Sequence, residues 1–211
     1  MSASVSPTAT SRPQLLRRAV VLEYVSLAYN LLEAVVGLVA GVAAGSVALI
    51  GFGLDSVVES SSASILLWRL RAEGKGAHVE DVERRAVRMV AVAFFALAAY
   101  VGVQSALDLA AGAKPEASVP GIILAVASLI VMPVLAHRKR LAARALDSRS
   151  LEADSTQTTL CTYLSAVLLA GLIANATLGW WWADPAAGLG IAALAAKEGT
   201  ELWRTKDFCC L

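Results

Sequence analysis

Charge is scarce in this chain. Asp, Glu, Lys and Arg make up 17% of its 211 residues, against roughly 25% in soluble domains, and no polar segment is long enough to form a soluble domain. Apolar residues supply 57% of the sequence and the mean hydropathy is +0.65, more apolar surface than one soluble core of this length can bury. Histidine is limited to His78 and His137, both in polar segments, which leaves none for an apolar run. Cysteine occurs only at 161, 209 and 210, too few and too ill-placed for a disulfide framework and suited to a reducing cytoplasmic setting for the tail. Nucleotide-binding glycine loops and plausible Ser-His or Cys-His pairs are missing too, which argues against an enzyme. With a net charge of +1 and basic residues scattered through short loops, nucleic acid is not an expected partner.

What the chain has in abundance is apolar runs of about 20 residues, each long enough to cross a hydrocarbon core of roughly 30 Å as a helix. The pattern predicts an all-α polytopic membrane protein with six transmembrane helices at 19–42, 46–68, 87–110, 119–136, 153–174 and 178–196. Around this transmembrane domain, 19–196, lie an N-terminal tail, 1–18, and a short C-terminal tail, 197–211. The first run lacks a preceding Ala-x-Ala cleavage site and is too long for a signal-peptide core, so it reads as a retained span. Arg12, Arg17 and Arg18, the polar segment from Arg69 to Arg88, the basic segment from His137 to Arg149, and Lys197, Arg204 and Lys206 fall on one side, and only Lys114 on the other. The positive-inside rule then puts both tails in the cytoplasm of a cell-membrane protein. The basic segment after the fourth span is expected to be a loop that sets topology and touches anionic lipid.

Gly37, Gly41 and Gly45 repeat every fourth residue, and the second span is rich in Gly and Ser, the small-residue faces through which helices approach closely in lipid. The acids are more informative. A carboxylate near the bilayer centre costs at least about 2.5–3.5 kcal/mol on insertion scales, so intramembrane acids are functional candidates. Asp55 and Glu59 stand four residues apart on one face of the second span, with roughly 6 Å between their attachment points. Like charges that close repel. With no Lys or Arg deep enough in the apolar spans to pair with them, the two are expected to share a proton or to hold a cation between their carboxylates. Cation and proton then compete for one site.

The fifth span adds a matching stripe, with Asp154, Gln157, Thr158, Cys161 and Ser165 on one helical face. Asp55, Glu59 and Cys161, completed by Gln157 or Asp154, make a thiolate and carboxylate donor set of the kind that binds zinc or a related divalent transition metal. Calcium and magnesium fit only if Cys161 faces away. Ordinary packing of a polar stripe explains Thr158 and Ser165 equally well, and burial as a small hydrophobe explains Cys161 taken alone. Glu33, near Asn30 in the first span, is expected to support this site or a proton path, with interhelical hydrogen bonding as the plain alternative. Asp108 and Asp184 fall near the opposite membrane face, and Asp184-Pro185 is expected to open the main part of the sixth helix with the acid as its cap. Cys209 and Cys210 receive no function, and the Asn175-Ala-Thr177 glycosylation triplet falls in a tight loop where it reads as chance.

Gly45-Ser-Val-Ala-Leu-Ile-Gly-Phe-Gly-Leu-Asp-Ser-Val-Val-Glu59 resembles the second-helix signature of the cation diffusion facilitators. Glu152-Ala-Asp-Ser-Thr-Gln-Thr-Thr-Leu-Cys161 is similar to that family's Ala-Asp-x-x-His-x-x-x-Asp stretch, and Trp182-Ala-Asp-Pro-Ala-Ala to its Asp-Pro entry into helix six. The resemblance implies a six-helix transporter, usually homodimeric, that exports divalent metal from the cytoplasm in exchange for protons and holds no permanent cofactor. Its transport ligands would be Asp55, Glu59, Gln157 and Cys161. The family's His and Asp of helix five are here Gln157 and Cys161, a change that bears on zinc selectivity. Because the chain ends soon after the sixth span, it resembles the short branch without a C-terminal cytoplasmic domain. Two alternatives stand beside this reading: a transporter or channel for a non-metal cation that uses the same acids, and a membrane scaffold that keeps the fold without transport. Retained acids argue against the scaffold, which would gain stability by discarding them.

Overall fold

The computed structural model describes residues 12–73 and 80–204. His78, Lys206, Cys209 and Cys210 lie outside the described residues, as does the N-terminal tail as far as residue 11. Six α-helices and no strands occur among them: α1 (Arg12–Ala44), α2 (Val47–Glu73), α3 (Glu80–Ala111), α4 (Val119–Leu146), α5 (Arg149–Leu178) and α6 (Ala183–Arg204).

Five helices carry stretches long and apolar enough to cross a membrane: Gln14–Ala44, Val47–Trp68, Arg88–Ala111, Val119–Leu146 and Asp154–Leu178. On α1 the polarity is reversed relative to a soluble helix. Glu23, Ser26, Asn30 and Glu33 form a buried polar stripe, while Val21, Val25, Leu32, Val35, Val39 and Val42 are exposed on the opposite side. Such a distribution suits a solvent that is hydrocarbon and an interior that carries the polar chemistry. The sixth helix differs, because charges at Asp184 and Lys197 bracket a short apolar stretch. It packs along α3 and touches α2 and α5 as well.

Most helices run past the apolar windows, because hydropathy marks where lipid ends and not where helical propensity ends. The clearest case is the segment after the fourth span. Instead of a basic loop, His137 to Leu146 continue α4, in a stretch rich in Ala, Leu, Arg and Lys, all good helix formers. The connection to α5 shrinks to Asp147, which closes α4 in the left-handed region at φ 51°, and Ser148. Similarly, α5 runs on to Leu178 and is closed by Gly179 at φ 65°, so α6 begins at Ala183 and not near 178.

The closest pairings are α1 with α2, α3 with α6 and α4 with α5, and α2 reaches α1, α3, α5 and α6. The α1–α2 contact is backbone on backbone: a Cβ placed on Gly37 would lie 3.0 Å from Gly53 Cα, and one on Gly53 would lie 2.8 Å from the Leu38 nitrogen. Small residues on α1 thereby bring α2, with its two acids, to the centre of the bundle.

Candidate cation site

Asp55 and Glu59 are both buried at 4% exposure, one helical turn apart on α2. They line a small cavity of about 20 Å³ together with Gln157 and Cys161 of α5, Glu198 of α6 and apolar neighbours such as Phe94 and Leu164. A space of this size holds about one water molecule or one bare ion. Four of the five site residues predicted from sequence thus meet at one place, although they come from helices far apart in the chain.

The polar atoms around the cavity are incompletely satisfied. Glu59 Oε2, Gln157 Nε2 and Glu198 Oε2 are buried without a hydrogen-bond partner. Ser62 Oγ donates to Gln157 Oε1 at 3.1 Å; a hydroxyl both donates and accepts, so it can hold either end of the amide and free the other for a ligand. The Cys161 thiol lines the same cavity as the Glu59 carboxylate. Asp55 lies within electrostatic range of three further acids, Glu59, Glu33 and Glu198. Among the described residues, however, no three His, Cys, Asp or Glu side chains are arranged to hold a metal ion in this conformation. The carboxylates and thiol share a cavity without closing a coordination shell.

Asp154 is not part of this cavity. Its Oδ2 lies 2.5 Å from Lys139 Nζ, which also reaches Glu23 Oε2 at 3.2 Å and Thr158 Oγ1 at 3.4 Å. Lys139 is 2% exposed, on the stretch of α4 expected to be loop. The expectation that no basic residue lies deep enough to pair with an intramembrane acid is therefore corrected: Lys139 ties α1, α4 and α5 together and stands within electrostatic range of Glu59. Two carboxylates face one ammonium there, and Glu23 Oε1 has no partner.

The remaining polar groups of the stripe are accounted for locally. Thr158 Oγ1 donates to the Asp154 carbonyl at 3.1 Å and Ser165 Oγ to the Cys161 carbonyl at 2.7 Å, so neither hydroxyl proton is directed at the cavity. Glu33 is fully buried between α1, α2 and α4, where it accepts from Ser128 Oγ and, at 3.4 Å, from Ser56 Oγ. Asp184 does not simply cap its own helix. Its carboxylate accepts from Ser46 Oγ at 2.5 Å and faces the Ala48 N–H at 3.5 Å, at the start of α2. An acid from α6 thus meets the partial positive charge at the N-terminus of the helix that carries Asp55 and Glu59.

Glu198, Lys139 and Glu23 are the residues that sequence reasoning missed. Glu198 continues the buried face of α6 marked by Asp184, Gly188, Ile191 and Ala195, a helical spacing that was readable. Glu23 likewise completes the stripe of Ser26, Asn30 and Glu33. Nothing in the basic run His137-Arg-Lys-Arg140 marks its third member as the one that turns inward.

Residues 24–206 match the model of the cation efflux transmembrane domain. Transmembrane protein 163 of Xenopus laevis is 25% identical over 189 residues, which cover 88% of this chain and 66% of that protein, so the chain spans just under two thirds of that relative's length. The domain match takes in all six helices except the first turns of α1, and on that extent the chain belongs to the cation efflux family of membrane transporters, the cation diffusion facilitators.

Proposed function

We propose that this protein exports a divalent transition metal, zinc foremost, from the cytoplasm in exchange for protons, using Asp55, Glu59, Gln157 and Cys161 as ligands, with Glu198 as a further carboxylate. The observation that carries this reading is the cavity between α2, α5 and α6, where buried acids and an amide keep unpartnered atoms beside a thiol. A thiol among oxygen donors favours zinc and its neighbours over calcium or magnesium. Binding requires the ligands to lose protons, so metal and proton compete for the same atoms. Metal arriving from the cytoplasm displaces protons, the bundle changes its opening, and protons from the far side displace the metal. The shift is driven by different affinities of the two states. On this reading the incomplete coordination shell belongs to a state between loads, and Asp154, held by Lys139, stands outside the ligand set.

We further propose a homodimer in the cell membrane with both termini in the cytoplasm, an orientation supported by the basic residues at the ends of α1, α2, α4 and α6. The test is metal flux into liposomes holding the purified protein, measured for zinc, cobalt, iron, manganese and cadmium with and without a pH gradient, beside Asp55→Ala/Glu59→Ala. Zinc flux that follows the pH gradient and is lost in the double variant supports the reading. Absence of flux for every metal overturns it in favour of a non-metal cation or a scaffold.

A further inference from the structure

Apart from the cavity, a groove of about 1180 Å³ runs between the N-terminal part of α1 and the C-terminal part of α4. It exceeds the roughly 300–1,000 Å³ of typical small-molecule pockets. Arg17, Arg18 and Arg138 supply its charge, Leu15, Val21 and Leu141 much of its apolar wall, and among the described residues no acid lines it. All three arginines are exposed. The Lys139–Glu23 ion pair, 3.2 Å long, fixes how the two helices sit against each other behind it.

The apolar side of the groove does not stop at its rim. From Val21 an exposed stripe runs the length of α1 through Val25, Leu32, Val35, Val39 and Val42, each three, four or seven residues after the last and so on one helical face. A basic pocket that opens onto a continuous apolar track has the shape of an amphiphile, with an anion at one end and hydrocarbon beyond it.

We infer that the α1–α4 groove is a binding site for one anionic phospholipid, its phosphate headgroup held by Arg17, Arg18 and Arg138 and its acyl chains laid over Val21 and the α1 stripe. Charge complementarity selects this occupant. Residues 1–11, which precede α1, contain no acid and so offer no carboxylate side chain to pair with three arginines. A second copy docked symmetrically on the same face would set arginine against arginine, since a two-fold interface apposes a patch to itself. An anionic lipid on the basic end of the bundle meets neither objection, and basic pockets between helices are the established form of such sites.

The experiment compares thermal unfolding and native mass spectra of the purified full chain in detergent, supplemented with phosphatidylglycerol, phosphatidylcholine or inorganic phosphate. Phosphatidylglycerol is expected to raise the unfolding midpoint by several degrees and to stay bound in the spectrum, with phosphatidylcholine and phosphate having little effect. Arg17→Gln/Arg18→Gln/Arg138→Gln should weaken phosphatidylglycerol binding about a hundredfold, at roughly fivefold for each cation near the membrane surface. Ala142→Trp, which fills the groove and leaves every arginine in place, should lose it as well. Arg144→Gln, exposed on α4 but outside the groove, should keep it. Equal binding of phosphatidylcholine, preference for phosphatidylglycerol retained in the triple variant, or an equal loss in Arg144→Gln overturns the site. Equal stabilisation by inorganic phosphate overturns the lipid and leaves a simple anion pocket.

Discussion

Lys139 on α4 and Asp154 on α5 form an ion pair of 2.5 Å in which neither partner is more than 6% exposed. Glu23 joins it from α1, so three helices meet at one ammonium. Breaking a buried pair by removing one partner leaves a charge with no compensation, at a cost of about 3–5 kcal/mol.

Lys139→Met is therefore expected to lower the stability of the bundle by about that amount, read as a large drop in unfolding midpoint in detergent. The neutral triple variant Lys139→Met/Glu23→Gln/Asp154→Asn should recover most of the loss, because no charge is left buried alone. A triple variant as unstable as the single one would show that packing and not charge dominates there.

Asp55→Asn is expected to leave the fold as stable as the parent or more so, since it removes a buried acid from an acidic neighbourhood, and Glu59→Gln, whose carboxylate also stands within electrostatic range of Lys139, to leave it near the parent's stability. Both should lose zinc flux in liposomes. Cys161→Ser should depress zinc and cadmium flux far more than manganese flux, because the hydroxyl is a poor substitute for thiolate toward soft metals. Lowering the pH on the loading side should weaken metal binding in the parent, because protons and metal compete for the same ligands. An indifferent Cys161→Ser variant would point to a site made of oxygen alone.

Glu198→Gln tests the carboxylate from α6. Its expected effect is a rise in the half-saturating zinc concentration of about tenfold, the lower end of what supporting groups contribute to metal sites. Glu116→Gln, on an exposed residue of the connection between α3 and α4, should leave it unchanged.

Gly53→Ala probes the α1–α2 contact. The added methyl would sit 2.8 Å from the Leu38 nitrogen, closer than atoms tolerate, so the helices must part at a cost of about 1–3 kcal/mol. Ser46→Ala, which removes the link between Asp184 and the start of α2, should cost about 1 kcal/mol, as loss of a helix N-cap does. Thermal unfolding in detergent checks both.

Much of this molecule is legible in its residues taken in order. Apolar runs, the basic bias of one side and the four-residue spacing of Asp55 and Glu59 are local properties, set by the rise of a helix and the thickness of a bilayer. They establish the helical membrane class and put two acids on one face. The same spacing on α5 aligned Gln157 with Cys161, and the cavity holds both beside the α2 acids. Helix ends were less legible, since α4 continues ten residues beyond its expected end at 136 to Leu146, through good helix formers that leave the lipid without unwinding.

What only the tertiary structure decided is how each helix is turned about its own axis and which neighbour it meets. Arg138, Lys139 and Arg140 are consecutive cations on one strip of sequence. Packing against α1 and α5 turns Lys139 inward and leaves Arg138 at the groove. By the same kind of choice Asp154 pairs with Lys139 and not with Glu59, Glu198 joins the cavity, and Asp184 meets the start of α2. Rotation and neighbour depend on contacts between segments far apart in the chain, such as Gly37 on Gly53, and no local periodicity encodes them.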